Sequence, residues 1–183
     1  MKVLKIIGII VLIVVLGFLA IGVFSGKQEY KLEINIDRQV AEVFQRFNDH
    51  EQLTEWLPEV KSFEVINETP NMIGSEYKMM IDSDGRVMEL YETLTAYKEN
   101  EHVEMEFRAG AMIKHNHFSF EESTNGTILI AKYRVEGANP FAKSMFALFT
   151  KMFKEIDSKN LERFKEFVEQ QPIITEIEKT DNN

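Results

Sequence analysis

The chain has 183 residues, with 21 Lys+Arg against 30 Asp+Glu, one Trp and no Cys. The absent thiols exclude disulfides, thiolate catalysis and Cys-ligated metals. The acidic balance argues against nucleic acid as a partner, and roughly 155 residues beyond position 26 suffice for one single-core domain.

Ile6 to Phe24 is an uncharged apolar run. At about 19 residues it makes a helix about 29 Å long, enough to cross about 30 Å of hydrocarbon. Residues 1–26 are therefore predicted to be a single-pass membrane anchor. A cleaved signal peptide is the competing reading. The run exceeds the usual apolar region of about 7–15 residues and no A-x-A site follows it, which favours the anchor. Lys2 and Lys5 precede the run with no acid among them, which places the N-terminus inside and the domain outside. Without Lys2 and Lys5 the remainder carries 19 basic against 30 acidic residues, a net charge near −11. Such a domain is repelled by anionic headgroups, so attachment is expected to rest on the helix alone.

Tyr30-Lys31-Leu32-Glu33-Ile34-Asn35-Ile36 alternates as a half-buried strand does. Asp37 is the expected cap of a helix carrying Val40, Val43, Phe44 and Phe47 at helical spacing. A second short helix is predicted from Asp49 to Leu57, ending at Pro58. Strands follow at 63–68, 75–82, 86–97, 103–109, 113–121 and 127–136, separated by turn residues such as Ser83-Asp84-Gly85 and Asn125-Gly126. Asn139 and Pro140 open a helix expected to run to about Glu169, stopped by Gln171-Pro172. Residues 171–183 read as a flexible polar tail.

The order is one strand, two short helices, about six antiparallel strands and one long C-terminal helix. A meander of this kind makes one curved sheet, and only the long helix is large enough to cover its buried face. This α+β architecture, over residues 27–170, leaves room for a hollow between sheet and helix.

Several stretches carry a resemblance to a known family. Ile36-Asp37-Arg38-Gln39-Val40-Ala41-Glu42-Val43-Phe44 resembles an "I-x-A-P-x-x-x-V-W/F" opening, and Glu55-Trp56-Leu57-Pro58-Glu59-Val60 a "Y-x-x-W-x-P-x-V" segment. Gly74-Ser75-Glu76-Tyr77 is similar to a "G-T-x-Y" strand start and Gly126-Thr127 to a "D-G-T" hairpin. In this order they resemble the START-like, helix-grip superfamily (SRPBCC), within it the polyketide cyclase/dehydrase and lipid-transport group, over about Tyr30 to Gln170. Arg38-Gln39 departs from the usual Ala-Pro, and the membrane anchor is an addition. The resemblance implies a seven-stranded helix-grip fold with a cavity for an apolar or amphipathic small molecule, and it does not imply one chemistry.

The expected cavity wall combines Tyr77, Met79, Met105, Phe107, Phe118 and Tyr133 from the strands with Met145, Phe149 and Met152 from the helix. Ordinary core packing is the competing reading for each. His115 and His117 share a strand face. Two imidazoles are too few for a metal site, and Phe118 and Phe120 pointing inward turn both outward, so no metal and no cofactor is expected. Catalysis, if any, would fall to Glu92, Asn116 and Tyr133, with Glu92 on the parity of Met88, Leu90 and Leu94 and so a candidate acid or base. Trp56 is read as packing the short helix onto the sheet.

The favoured function is a membrane-anchored domain that binds a hydrophobic small molecule of lipid or isoprenoid type. The alternatives are a cyclase, dehydratase or hydrolase using the same cavity, and an envelope protein-interaction module with an unnamed protein partner. A binding role is favoured over an enzymatic one.

Overall fold

The computed structural model describes residues 2–25, 27–83 and 85–174. Helix α1 (Lys2–Ser25) carries the apolar run, and strand β1 (Lys27–Ile36) begins two positions after it ends. Tyr30, Leu32, Ile34 and Ile36 turn inward from β1 while their neighbours face out. Helix α2 (Val40–Phe47) follows, then a 3₁₀ turn at His50–Gln52 and helix α3 (Leu53–Trp56).

Six strands complete the sheet: β2 (Val60–Asn67), β3 (Glu76–Ser83), β4 (Arg86–Lys98), β5 (His102–Ala109), β6 (Met112–Ser123) and β7 (Gly126–Gly137). The sheet order is β1-β7-β6-β5-β4-β3-β2, and every neighbouring pair is antiparallel. Strand β1 thus crosses over to pair with the last strand, with α2 and α3 carrying the chain to the opposite edge. Irregular register at Leu94/Ala96, Val60/Ser62 and Val65/Asn67 bends the sheet.

Helices α4 (Pro140–Leu148) and α5 (Thr150–Gln170) close the fold. The long C-terminal helix is present, and a short helix precedes it where one continuous helix is predicted. The break lies at Phe149, with φ −102° and ψ 9°. The Thr150 hydroxyl sits 3.0 Å from the Ala147 carbonyl and 2.8 Å from Gln28 Oε1. That ties the junction to β1, while α4 continues over β7 and α1. Asn139 caps α4 as expected, its Oδ1 accepting from the Ala142 N–H at 2.9 Å.

Asp37 is not the cap of α2. The helix starts at Val40 behind Gln39, and the Asp37 N–H donates instead to Glu169 Oε1 at 2.8 Å. Arg38, where the resemblance calls for Ala, donates to the Glu169 carbonyl at 2.6 Å, and Arg46 donates to the Pro172 carbonyl at 2.7 Å. These two arginines fasten the end of α5 to the start of α2. Gln171 and Pro172, assigned to the tail from sequence, are therefore held through their carbonyls. Residues 175–183 of that tail lie outside the described residues.

The main core fills the grip. Phe47 lies 4.7 Å from Phe118, 5.3 Å from Phe164, 5.4 Å from Phe120 and 6.0 Å from Trp56, ring centre to ring centre. Trp56 is buried, and its ring meets Phe164 of α5 at 4.9 Å and Phe47 of α2 rather than a ring of the sheet onto which it is expected to pack. Val135, Ala142 and Phe146 form a second, smaller cluster under α4, with Met145 and Phe153 against it.

Candidate functional site

Alternation along the strands builds the inner wall row by row. One row runs Tyr77, Glu92, Phe107 and Lys114 across β3 to β6. The next runs Leu94, Met105, Asn116, Tyr133 and Tyr30 across β4, β5, β6, β7 and β1. Both rows face α2, α3 and α5. Tyr77, Met79, Met105, Phe118 and Tyr133 are buried on this wall, and Phe107 is half-buried on it.

Met145 is half-buried in the smaller cluster, away from this wall. Phe149 and Met152 do not line the interior. They are 44% and 46% exposed, on the outer side of the α4–α5 junction. The stretch is apolar on more than one side, so composition did not reveal which side met the sheet.

Three polar groups stand in the wall with an atom that has no hydrogen-bond partner among the described residues: Tyr77 Oη, Glu92 Oε1 and Asn116 Oδ1. Glu92 is 5% and Asn116 8% exposed. Burial pushes the Glu92 carboxyl up from 4.5 to about 7, so both its forms are populated near neutrality. Burial also raises the Tyr77 phenol, assisted by the Glu68 and Glu92 carboxylates. The Ser75 hydroxyl opposes that rise but forms no hydrogen bond of ordinary geometry with it. His50 stacks on Phe63 at 4.4 Å and lies 4.8 Å from Tyr77, and its burial lowers its pKa.

Beside them lies a cluster that includes the expected Tyr133 and centres on Asp157, a residue the sequence reading did not single out. Lys114 Nζ donates to Asp157 Oδ1 at 2.6 Å and Oδ2 at 2.7 Å, and the Tyr30 hydroxyl donates to Oδ2. The same ammonium sits 4.8 Å from the centre of the Tyr133 ring, which stacks on Tyr30 at 5.1 Å. Burial first, then the Asp157 charge, raises both phenols. Asp157 was legible in principle. It shares a helical stripe with Leu161, Phe164 and Val168, all buried.

His115 and His117 occupy the outer face, as alternation predicts. His117 Nδ1 is 2.8 Å from Glu104 Oε1 and its Nε2 is 2.8 Å from Ser119 Oγ, while His115 approaches Glu106 and Glu136. A recess of about 510 Å³ opens between the outward Glu29, Lys31, Glu104, His115, His117, Lys132 and Arg134, and Tyr30, Met105, Asn116 and Tyr133 of the second row also line it. A second, of about 530 Å³, lies between Asn35–Asp37, Ser123–Asn125 and the end of α5. Neither is lined by Glu92.

A bent antiparallel sheet closed on a long helix, with isolated polar groups set in an apolar inner wall, defines a helix-grip domain suited to hydrophobic ligands. Residues 27–169 match the family model described as polyketide cyclase / dehydrase and lipid transport. The chain belongs to that family, with α1 added in front of it. No curated protein matches. Solved structures share the fold at low identity. A START superfamily protein from Mycobacterium smegmatis superposes with a TM-score of 0.63 at 16% identity, covering 79% of this chain and 97% of the other. TTHA0849 from Thermus thermophilus gives 0.64 at 20% identity, covering 76% and 96%. The Zhui aromatase/cyclase from Streptomyces gives 0.63 at 8% identity, covering 78% and 94%.

Proposed function

We propose that this protein is a membrane-anchored binding domain whose ligand is a hydrophobic molecule carrying a hydroxyl or amide group. Glu92 and Asn116 carry the proposal. Each buries an acceptor with no partner among the described residues, on a wall whose other members are Met, Phe, Leu and Tyr apart from Lys114, which is paired with Asp157. A buried acceptor left empty costs about 1–3 kcal/mol, and a ligand donor placed there recovers it. The apolar remainder of such a ligand would displace or extend the packing of Met79, Met105 and Phe118. The long apolar α1 supports the anchor, and Lys2 and Lys5 at its start support an N-terminus on the cytoplasmic side. A tether this short would keep the domain against the bilayer from which such molecules are drawn.

The test uses the full chain purified in a mild detergent, examined by native mass spectrometry and by solvent extraction. A co-purifying apolar molecule is expected, with its occupancy reduced in Asn116→Leu. Absence of any bound molecule, together with failure to bind fluorescent lipids and isoprenoids, overturns the reading.

One observation favours acid–base catalysis as a second reading: Glu92 titrates at about 7, where a carboxyl both accepts and returns a proton. Turnover of the co-purified molecule that disappears in Glu92→Gln, with binding retained, would select it.

A further inference from the structure

We infer that α4 and the start of α5 form a wedge inserted into the lipid bilayer beside α1, with Phe149 and Met152 among its embedded side chains. The inference rests on the anchor reading above and extends it from one helix to a surface of the folded domain.

Four observations converge on it. First, Phe141 is 61%, Leu148 59%, Phe149 44%, Met152 46% and Ile156 47% exposed. Phe149, Met152 and Ile156 stand at i, i+3 and i+7, so they form one stripe. A contiguous apolar face of this kind marks a surface that meets something other than water.

Second, the charge reverses locally. The chain as a whole is at −9, yet residues 138–154 contain Lys143, Lys151 and Lys154 and no acid; Glu155 follows and pairs with Lys151 at 3.7 Å, which leaves Lys143 and Lys154 as the basic excess. Apolar side chains flanked by lysines are what an interfacial helix presents to anionic headgroups. The expectation that attachment rests on α1 alone overlooked this segment, because net charge averages it away.

Third, α4 is docked on α1. The Gly22 N–H donates to Ser144 Oγ at 3.0 Å, and that hydroxyl is 3.1 Å from the Pro140 carbonyl. A Cβ on Gly22 would meet Ser144 Oγ at 2.5 Å, so the two backbones approach as closely as small residues allow. Crossings built on Gly and Ser are the way helices pack in lipid.

Fourth, the depth agrees. Counting about 20 residues from Ile6 puts the domain-side edge of the hydrocarbon near Ser25, and Phe18 about 10 Å inside it. The Phe141 ring lies 5.4 Å from that of Phe18. Interfacial helices bury their apolar face about 5–10 Å below the headgroups. A helix fixed to α1 at this level is carried to that depth whenever α1 spans.

The chain has no Cys, so single cysteines can be placed at will. Phe149→Cys, Met152→Cys, Val11→Cys and Thr124→Cys would each carry a nitrobenzoxadiazole label. The labelled full chain is placed in vesicles of phosphatidylcholine with phosphatidylglycerol. Thr124 lies in the β6–β7 turn, at the pole of the sheet away from α1, and serves as the aqueous reference. Doxyl-labelled lipids are expected to quench positions 11, 149 and 152 by about twofold or more and to leave 124 unchanged. Quenching at 11 with positions 149 and 152 behaving like 124 overturns the wedge and leaves the anchor standing. No quenching at 11 overturns both. Protection of 149 and 152 from aqueous iodide without quenching by lipid means that a protein covers the face, and overturns the wedge.

Discussion

Glu92 offers a direct test at the residue scale. Its carboxyl titrates at about 7 when folded and near 4.5 when unfolded, so between those values the folded state holds more protons. Folding stability therefore falls as pH rises from about 4.5 to about 7, and the loss is complete above that. Glu92→Gln should gain on the order of 3 kcal/mol over the parent at about pH 8 and nothing at about pH 4, as read by urea unfolding at both. An offset independent of pH would show that Glu92 does not titrate in this window. Asp157 is tested through its partner instead, because its carboxylate is paired with Lys114. Asp157→Ala leaves the part-buried Lys114 with only the Tyr133 ring beside it and should cost up to about 3 kcal/mol. The double variant Lys114→Met, Asp157→Leu should recover most of it, and a double-mutant cycle measures both. Tyr77, Met79, Met105, Phe118 and Glu92 were legible because a strand has a strict period of two. Asp157 was missed because a charged residue on an apolar stripe reads as an interruption until its partner, 43 positions away, is known.

Elements were legible where a local signal ended them. The strand boundaries fall within three residues of those expected, since turns such as Asn125-Gly126 mark them chemically. Gly126 shows why. It holds φ +139°, and a Cβ there would lie 2.2 Å from the Ile36 carbonyl oxygen. Gly126→Ala should cost about 1–3 kcal/mol in thermal unfolding, and an unchanged midpoint would mean the hairpin relaxes freely. The start of α2 and the break at Phe149 had no such signal. α2 begins behind Gln39 with no side-chain cap to mark it, and the break is held by a distant partner, Gln28, which accepts from Thr150. Apolar richness over 141–156 likewise announced an important surface without saying which side would be dry.

At the scale of the whole molecule, the fold class was readable from element order, because a seven-strand meander with one long helix has few ways to close. Sheet order was not, since pairing of β1 with β7 depends on contacts over 91 to 109 positions, from Ile36↔Thr127 to Lys27↔Glu136. The anchor prediction belongs here. The protein should sediment with membranes and resist carbonate and high-salt washes, because a span of this length and apolarity is held by hydrocarbon rather than by charge. A soluble form whose first residue lies near Ser25 would overturn it.

The clamp of Arg38 and Arg46 on the end of α5 gives the domain a mechanical axis. Ser25 lies at one pole of the sheet, and the Pro172 carbonyl is fixed at the other, beside the far end of β1. Tension between these points runs along the backbone of β1 and then across the clamp, so the guanidinium–carbonyl bonds of Arg38 and Arg46 carry the load before the ten residue pairs from Lys27↔Glu136 to Ile36↔Thr127 feel it. A pull between the two poles therefore meets two side chains first, and the antiparallel ladder beside them stays unloaded until the clamp gives way.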